Sequence, residues 1–401
     1  MTRGLAPRPL LLLANVLSFV SLVALASPET TPDASARPTP ASLMRRVWRL
    51  EGVQVLWHDL GNTPFGKVLV VGQGQAMLGL DLASGRTLWT APHALPARWT
   101  TSVRVTPLRV LATSTKNLAG YSAETGKRIW IRSPLCDFIP LSVYGEVALG
   151  QCSAKRRGCG PAAADPLVAL DMKTGAVRWR HLPREGLFRQ QSDGNLLFYI
   201  DNVRRPPPGP HPGHLVALEL ASGKVVWQVP IEDAEGSLVV GENTVIVFGS
   251  YMTGFAKAAG RRLWTAHPRS SRPGEPAWSI GDRGAVVDDH MALPGPTGFV
   301  LYAMNDGSAG EVIPYPSEWQ SGRSRSNATL YSSERVLFAW TSDKASRVPN
   351  SIYVWENGTW VERASPGEDS EIEAIGGGYV VVSSGDLLET YSLATPALPG
   401  Q

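Results

Sequence analysis

The sequence predicts an all-β protein, an eight-bladed β-propeller of four-stranded antiparallel blades whose ring is closed by an N-terminal strand completing the last blade. Three observations lead there. A hairpin motif recurs five times with Gly and Trp at fixed positions. A short apolar run precedes each copy, and three further runs follow. The last unit, TYSLATP at Thr390 to Pro396, stops before its second strand, and a segment of matching sequence stands at the other end of the chain.

The motif reads GLDLASGRTLW (Gly79 to Trp89), GYSAETGKRIW (Gly120 to Trp130), ALDMKTGAVRW (Ala169 to Trp179), ALELASGKVVW (Ala217 to Trp227) and GFAKAAGRRLW (Gly254 to Trp264). Each copy begins with a small residue, has Gly seventh and Trp eleventh, and the copies are spaced 37 to 49 residues apart. The pattern implies strand, tight turn, strand, with the Gly supplying the positive φ of the turn. Trp89, Trp130, Trp179, Trp227 and Trp264 are expected to dock as large flat groups, and the small first residue leaves room where a neighbouring ring can pack.

Upstream lie KVLVV at Lys67, RVLA at Arg109, EVALG at Glu146, NLLFYI at Asn195 and TVIVF at Thr244, followed by GAVV at Gly284, RVLFAW at Arg335 and YVVVSS at Tyr379. These runs are continuously apolar and not alternating, so both faces of each sheet are expected to be covered. Eight runs imply eight units. In the sixth, AMNDGSAGEVI (Ala303 to Ile313) puts Ile313 at the Trp position, and in the seventh YVWENGTWV makes a short hairpin around Asn357-Gly358. The missing strand of the eighth is RRVW at Arg45 to Trp48, an echo of RRLW at Arg261 to Trp264, which adds Trp48 to the docking set. Seven blades is the alternative if the seventh unit is an insertion. A closed ring disposes of exposed sheet faces.

Outside the repeats, Arg3 and Arg8, the apolar run Leu10 to Leu25 and the small-residue stretch ending at Ala26 have the build of a secretory signal peptide over residues 1–26. An uncleaved anchor is the alternative. Residues 27–43, rich in Pro, Thr, Ser and Ala, cannot bury enough surface to fold and are expected to be a flexible tether. The propeller is placed at 44–396 and a tail at 397–401. Export to a periplasmic or extracellular site follows, with no transmembrane span once the signal is removed and a monomer expected. The net charge of +3 shrinks further without the leader, so no global attraction to nucleic acid is implied. Cys136, Cys152 and Cys159 suggest one disulfide and one leftover thiol, with all three pairings open.

The AxDxxTGxxxW pattern, complete in Ala169, Asp171, Thr174, Gly175 and Trp179, resembles the PQQ-like repeat of quinoprotein-type β-propellers. The resemblance implies a girdle in which the Trp of one blade docks on the adjacent blade. Enzymes with these repeats are dehydrogenases holding pyrroloquinoline quinone and Ca²⁺, the alcohol-oxidising ones with a vicinal disulfide, and no Cys-Cys pair occurs here. Among non-enzymatic members the chain is similar to the outer-membrane protein assembly factor B family, whose eight-bladed propellers assist the barrel insertion machinery. It departs from that family in having no lipid-attachment Cys at the cleavage site.

Asp288-Asp289-His290 offers two carboxylates and an imidazole, yet no local motif brings the six or more oxygens of a Ca²⁺ site, so a hydrated loop is expected. His211 and His214, in the Pro-rich PPPGPHPGH, lack a third zinc ligand. No nucleophile or phosphate-binding motif is present, so no catalytic residue, cofactor or metal is expected. The uneven feature is loop length. With strands A to D in each blade, the C–D turns are short, whereas long B–C insertions are read in blades 3, 4, 6 and 7. They gather Lys155, Arg156, Arg157, Arg204, Arg205, Lys344 and Arg347 on one face, a dock for an envelope protein or an anionic envelope polymer. Solvated loops that keep the protein soluble are the alternative. The expected function is that of an exported, non-enzymatic interaction scaffold. A quinone- and Ca²⁺-dependent dehydrogenase or a small-ligand or glycan-binding propeller is the competing reading.

Overall fold

The computed structural model describes residues 45–392, apart from 52–57, 93–99, 134–136, 154–164, 202–211, 233–236, 269–283, 317–327, 342–350, 365–369 and several gaps of one or two residues, 288 and 357–358 among them. The described strands form eight four-stranded antiparallel sheets, seven of them built from four consecutive strands in chain order. The first strands of neighbouring sheets approach each other, as His58–Thr63 does with Thr100–Val105 on one side and Ser370–Gly376 on the other. Strand A of each blade therefore faces the axis and strand D the circumference. The architecture is an all-β propeller.

The eighth sheet contains Ser370–Gly376, Tyr379–Ser384 and Leu387–Ser392, and its fourth strand is Arg45–Leu50 from the start of the fold. Arg46 lies opposite Tyr391 and Trp48 opposite Thr390. Arg46 Nη1 meets Glu389 Oε1 at 3.1 Å, and the Tyr391 hydroxyl donates to Glu389 Oε2 at 2.8 Å. The first and last described strands are joined by a ladder, an apolar cluster and an ion pair together. The seventh unit is also a full sheet, with Glu356 paired to Thr359 across the two residues 357–358.

The apolar runs work as two-faced strands. Val68 and Val70 pack with Val110 and Ala112 of the second blade, while Leu69 and Val71 pack with Val381 and Leu388 of the eighth. Alternate side chains of one strand thus serve opposite junctions, which is why Val68 to Val71 are all apolar. All five residues of Thr244–Phe248 are buried for the same reason. Each fully buried Val or Leu contributes about 1.5–3 kcal/mol relative to exposure.

Gly and Trp form a clasp between blades. Trp48, Trp89, Trp130, Trp179, Trp227 and Trp264 each donate Nε1–H to a backbone carbonyl of the following blade, those of Leu82, Ala123, Met172, Leu220, Lys257 and Met304, at 2.7 to 3.1 Å. The ring also lies flat on that blade's turn Gly. A Cβ on Gly126, whose φ is +64°, would come 2.5 Å from the Trp89 ring. The small first residue of the motif has a different task from the one its position suggests. A Cβ on Gly79 would stand 2.1 Å from Trp89, its own cross-strand partner, so the space serves the Trp of the same hairpin.

The sixth unit differs from its sequence reading in two ways. Its turn closes with Gly307 N–H donating to Ala303 O, just as Gly85 N–H donates to Asp81 O in the first unit, so the repeat starts at Leu301 and Glu311 takes the Trp position. Ile313 lies two residues further on, opposite Phe299. The run GAVV forms strand A, Ala285–Val287, and strand B is His290–Pro294 within the stretch read as an insertion. No long B–C loop exists in that blade: strand B ends at Pro294 and Gly298–Ala303 begins strand C. Without a Trp the next junction is clasped in reverse, as Trp360 of the seventh blade donates to Pro314 O of the sixth. Aromatic contacts of Phe299 with Tyr315 (4.9 Å between centroids) and Trp360 (5.9 Å) fill the space.

Candidate interaction face

The B–C connections of the third, fourth and seventh blades leave from one side of the ring. They follow Val147–Ser153, Leu196–Asp201 and Val336–Thr341, the second strands of their sheets. Lys155, Arg156, Arg157, Arg204, Arg205, Lys344 and Arg347 all belong to these connections and lie outside the described residues. The scaffold beneath the first five is described. Blades 3 and 4 share a core in which Leu149, Leu167 and Trp179 meet Leu197, Tyr199 and Val216. Cys152, at the end of its strand B, is disulfide-bonded; Cys136 and Cys159 are outside the described residues.

Under the fourth-blade connection four segments bring polar groups together. His181, two residues past the clasp Trp179, places Nε2 2.7 Å from the Tyr199 hydroxyl. Asp201, 2% exposed at the end of the same strand as Tyr199, accepts the Arg184 backbone N–H at 2.9 Å and pairs in register with His214. Burial pushes His181 below its usual imidazole range, against the pull of Asp201. Burial and the Asp201 charge push the Tyr199 phenol upward. The result is a neutral His–Tyr pair beside a buried carboxylate, suited to fixing strand ends. Sequence reasoning missed this cluster; its one signal was Asp201 closing an otherwise apolar run, NLLFYID.

The other candidates do not converge. Asp289 sits in the A–B turn, on the opposite side of the ring from the B–C connections, and its Oδ1 lies 2.5 Å from His290 Nδ1. Asp288 and His211 lie outside the described residues, and His214 is held in a strand opposite Pro230. Among the described residues no group of three or more His, Cys, Asp or Glu could hold a metal ion. The described donors around Asp289 therefore do not fit a Ca²⁺ site, which needs six or more oxygens. Among them also, no helix is long and apolar enough to cross a membrane.

A comparison with curated proteins gives no match. Among solved structures, BamB from Moraxella catarrhalis is similar at 12% identity and TM-score 0.56, covering 89% of this chain and 100% of that one. Sqt1 from Saccharomyces cerevisiae is similar at 9% identity and TM-score 0.56, covering 86% and 100%. The quinohemoprotein alcohol dehydrogenase from Comamonas testosteroni is similar at 11% identity and TM-score 0.53, covering 90% and 78%. At such identities the likeness shows the fold alone. The family model described as outer membrane protein assembly factor BamB matches residues 163–389. That match spans more than half of a propeller whose blades carry the PQQ-like clasp, and the chain belongs to the outer membrane protein assembly factor BamB family.

Proposed function

We propose that the protein is an exported, non-enzymatic scaffold of the bacterial envelope that holds a protein partner during outer-membrane protein assembly. The family match over residues 163–389 carries this reading. The matched span includes the fourth- and seventh-blade connections with Arg204, Arg205, Lys344 and Arg347, whereas Lys155, Arg156 and Arg157 of the third-blade connection stand just ahead of it. Arg156, Arg157, Arg204 and Arg205 on adjacent blades form the dock, and its positive charge speeds and orients encounter with an acidic partner surface.

The test is affinity capture from envelope extract, comparing the native chain with a variant carrying Arg156→Glu, Arg157→Glu, Arg204→Glu and Arg205→Glu. Recovery of a barrel-assembly component that the variant loses supports the dock, and unchanged recovery overturns it. Titration with pyrroloquinoline quinone and Ca²⁺ addresses activity. Tight stoichiometric binding would replace the scaffold with a dehydrogenase. Cell fractionation with an N-terminal sequence of the mature chain tests export.

A further inference from the structure

The outer strands of six consecutive blades, the eighth and then the first to fifth, share a charge pattern that clasping the ring does not require. Arg46, Arg86, Arg128, Arg178, Lys224 and Arg262 stand within three residues ahead of the clasp Trp in each, and all six are exposed. Between the turn and the strand end these six segments contain no Asp or Glu. The pattern stops at the sixth blade, whose outer strand carries Glu311. Some of the charge is compensated. Arg46 pairs with Glu389, Arg178 with Asp171 at 2.7 Å, and Arg262 reaches Glu232 at 3.8 Å. Among the described residues Arg86, Arg128 and Lys224 make no ion pair. The neighbouring turn acids Asp81 and Glu219 accept hydrogen bonds from Ser84 and Ser222 of their own turns, Asp171 accepts from Thr174 as well as pairing with Arg178, and Glu124 is exposed.

Each of these strands also carries a bulge at the residue before the Trp. Bulges and charges on an edge discourage pairing with another strand, and like charges exclude a second copy of this chain. Guarding an edge needs charge of either sign; a single sign on six successive edges does not follow from it. The bulge has a second effect, since it turns out an aliphatic side chain beside the base. Leu88, Ile129, Val226 and Leu263 are 39%, 44%, 51% and 39% exposed at equivalent places. In the first, second, fourth and fifth blades the circumference thus repeats a cation next to an exposed aliphatic group, while in the third the bulge residue is Arg178 itself and in the eighth Val47 packs partly against the core.

We propose that the circumference of the eighth and first to fifth blades is a docking belt for an extended acidic polypeptide segment that carries aliphatic side chains between its carboxylates. Such a segment lies across the outer strands, its carboxylates meeting the bases and its apolar groups covering the bulge residues. It does not add as a further strand. Polysaccharides and nucleic acids would leave the aliphatic groups bare.

Fluorescence anisotropy of the full chain with a labelled peptide of alternating Glu and Leu, a polyglutamate of equal length and a polyphosphate tests the belt. The Glu-Leu peptide should bind tightest, with affinity falling as salt rises. Arg86→Glu, Arg128→Glu, Lys224→Glu and Arg262→Glu together should weaken it by at least about tenfold. Leu88→Ser, Ile129→Ser and Val226→Ser should reduce it to the polyglutamate level. Should the reversals unfold the protein, the same four positions changed to Gln, with the melting temperature as control, give the same reading. Equal binding of polyphosphate, or binding that survives the charge changes, overturns the proposal. The variants concern the circumference only, so binding that survives them leaves the loop-face reading standing.

Discussion

At the scale of single residues the turn Gly is the most constrained position. Gly126 needs φ = +64° and has the Trp89 ring on the side where a Cβ would go. Gly126→Ala should therefore cost on the order of 2–4 kcal/mol in urea unfolding, from left-handed strain and overpacking together. Gly79→Ala places its Cβ even nearer to an indole, yet Ala169 and Ala217 occupy the same position opposite Trp179 and Trp227. It should cost only about 1 kcal/mol, because the ring can slide within its own hairpin. His181 gives a pH signature. Its folded-state value is depressed by burial, so the folded chain takes up the proton less readily than the unfolded one. Stability should be complete above the ordinary imidazole value of about 6.5 and decline as pH drops through the lower folded-state value. Melting temperature measured from about pH 8 to 5 should fall at the acid end, and less steeply in His181→Gln.

At the scale of elements, the closing strand is the one to perturb. Trp48 fills the junction of the eighth and first blades, donates to Leu82 O at 2.7 Å and lies on Gly85. Trp48→Ala should cost about 3–5 kcal/mol by denaturant unfolding. Deleting residues 1–50 leaves the eighth sheet with three strands, and a synthetic RRVWRL peptide should raise the melting temperature of that shortened chain but not of the full one. This element was legible in sequence because RRVW repeats RRLW and the final unit lacked a partner. The sixth unit was misread by two residues for an equally physical reason. Leu301 and Glu311 had replaced both the small residue and the Trp that anchor the alignment, so only the turn Gly307 kept the register. Its strand B, HMALP, ends in Pro and adjoins Gly295-Pro296, a composition that reads as loop although Met291, Ala292 and Leu293 are buried.

At the scale of the molecule, the ring itself could be inferred from five motif copies, because a repeated local rule dictates a repeated junction. The polar cluster of His181, Tyr199, Asp201 and Arg184 could not, because its members come from separate segments that only the packing of blades 3 and 4 unites. Cys152, which forms a disulfide, stands near the end of the third blade's second strand, where the basic connection begins. Cys152→Ala should lower stability by about 2–4 kcal/mol. Thiol titration of the unfolded oxidised protein should count one reactive sulfhydryl in the native chain of three Cys and two in the variant.

The pairing of Arg46 with Glu389 spans 343 positions of sequence. During synthesis the segment that sews the last seam emerges first and waits, without its mate, until Leu387–Ser392 has been made. Neighbouring blades can assemble as they appear, but the circle is finished only once Leu387–Ser392 is available, at the entropic cost of bringing together two strands far apart in sequence. Completion of the ring therefore follows the formation of its other blades, and a protein caught with either closing strand held elsewhere would be a crescent, its eighth sheet open to the solvent.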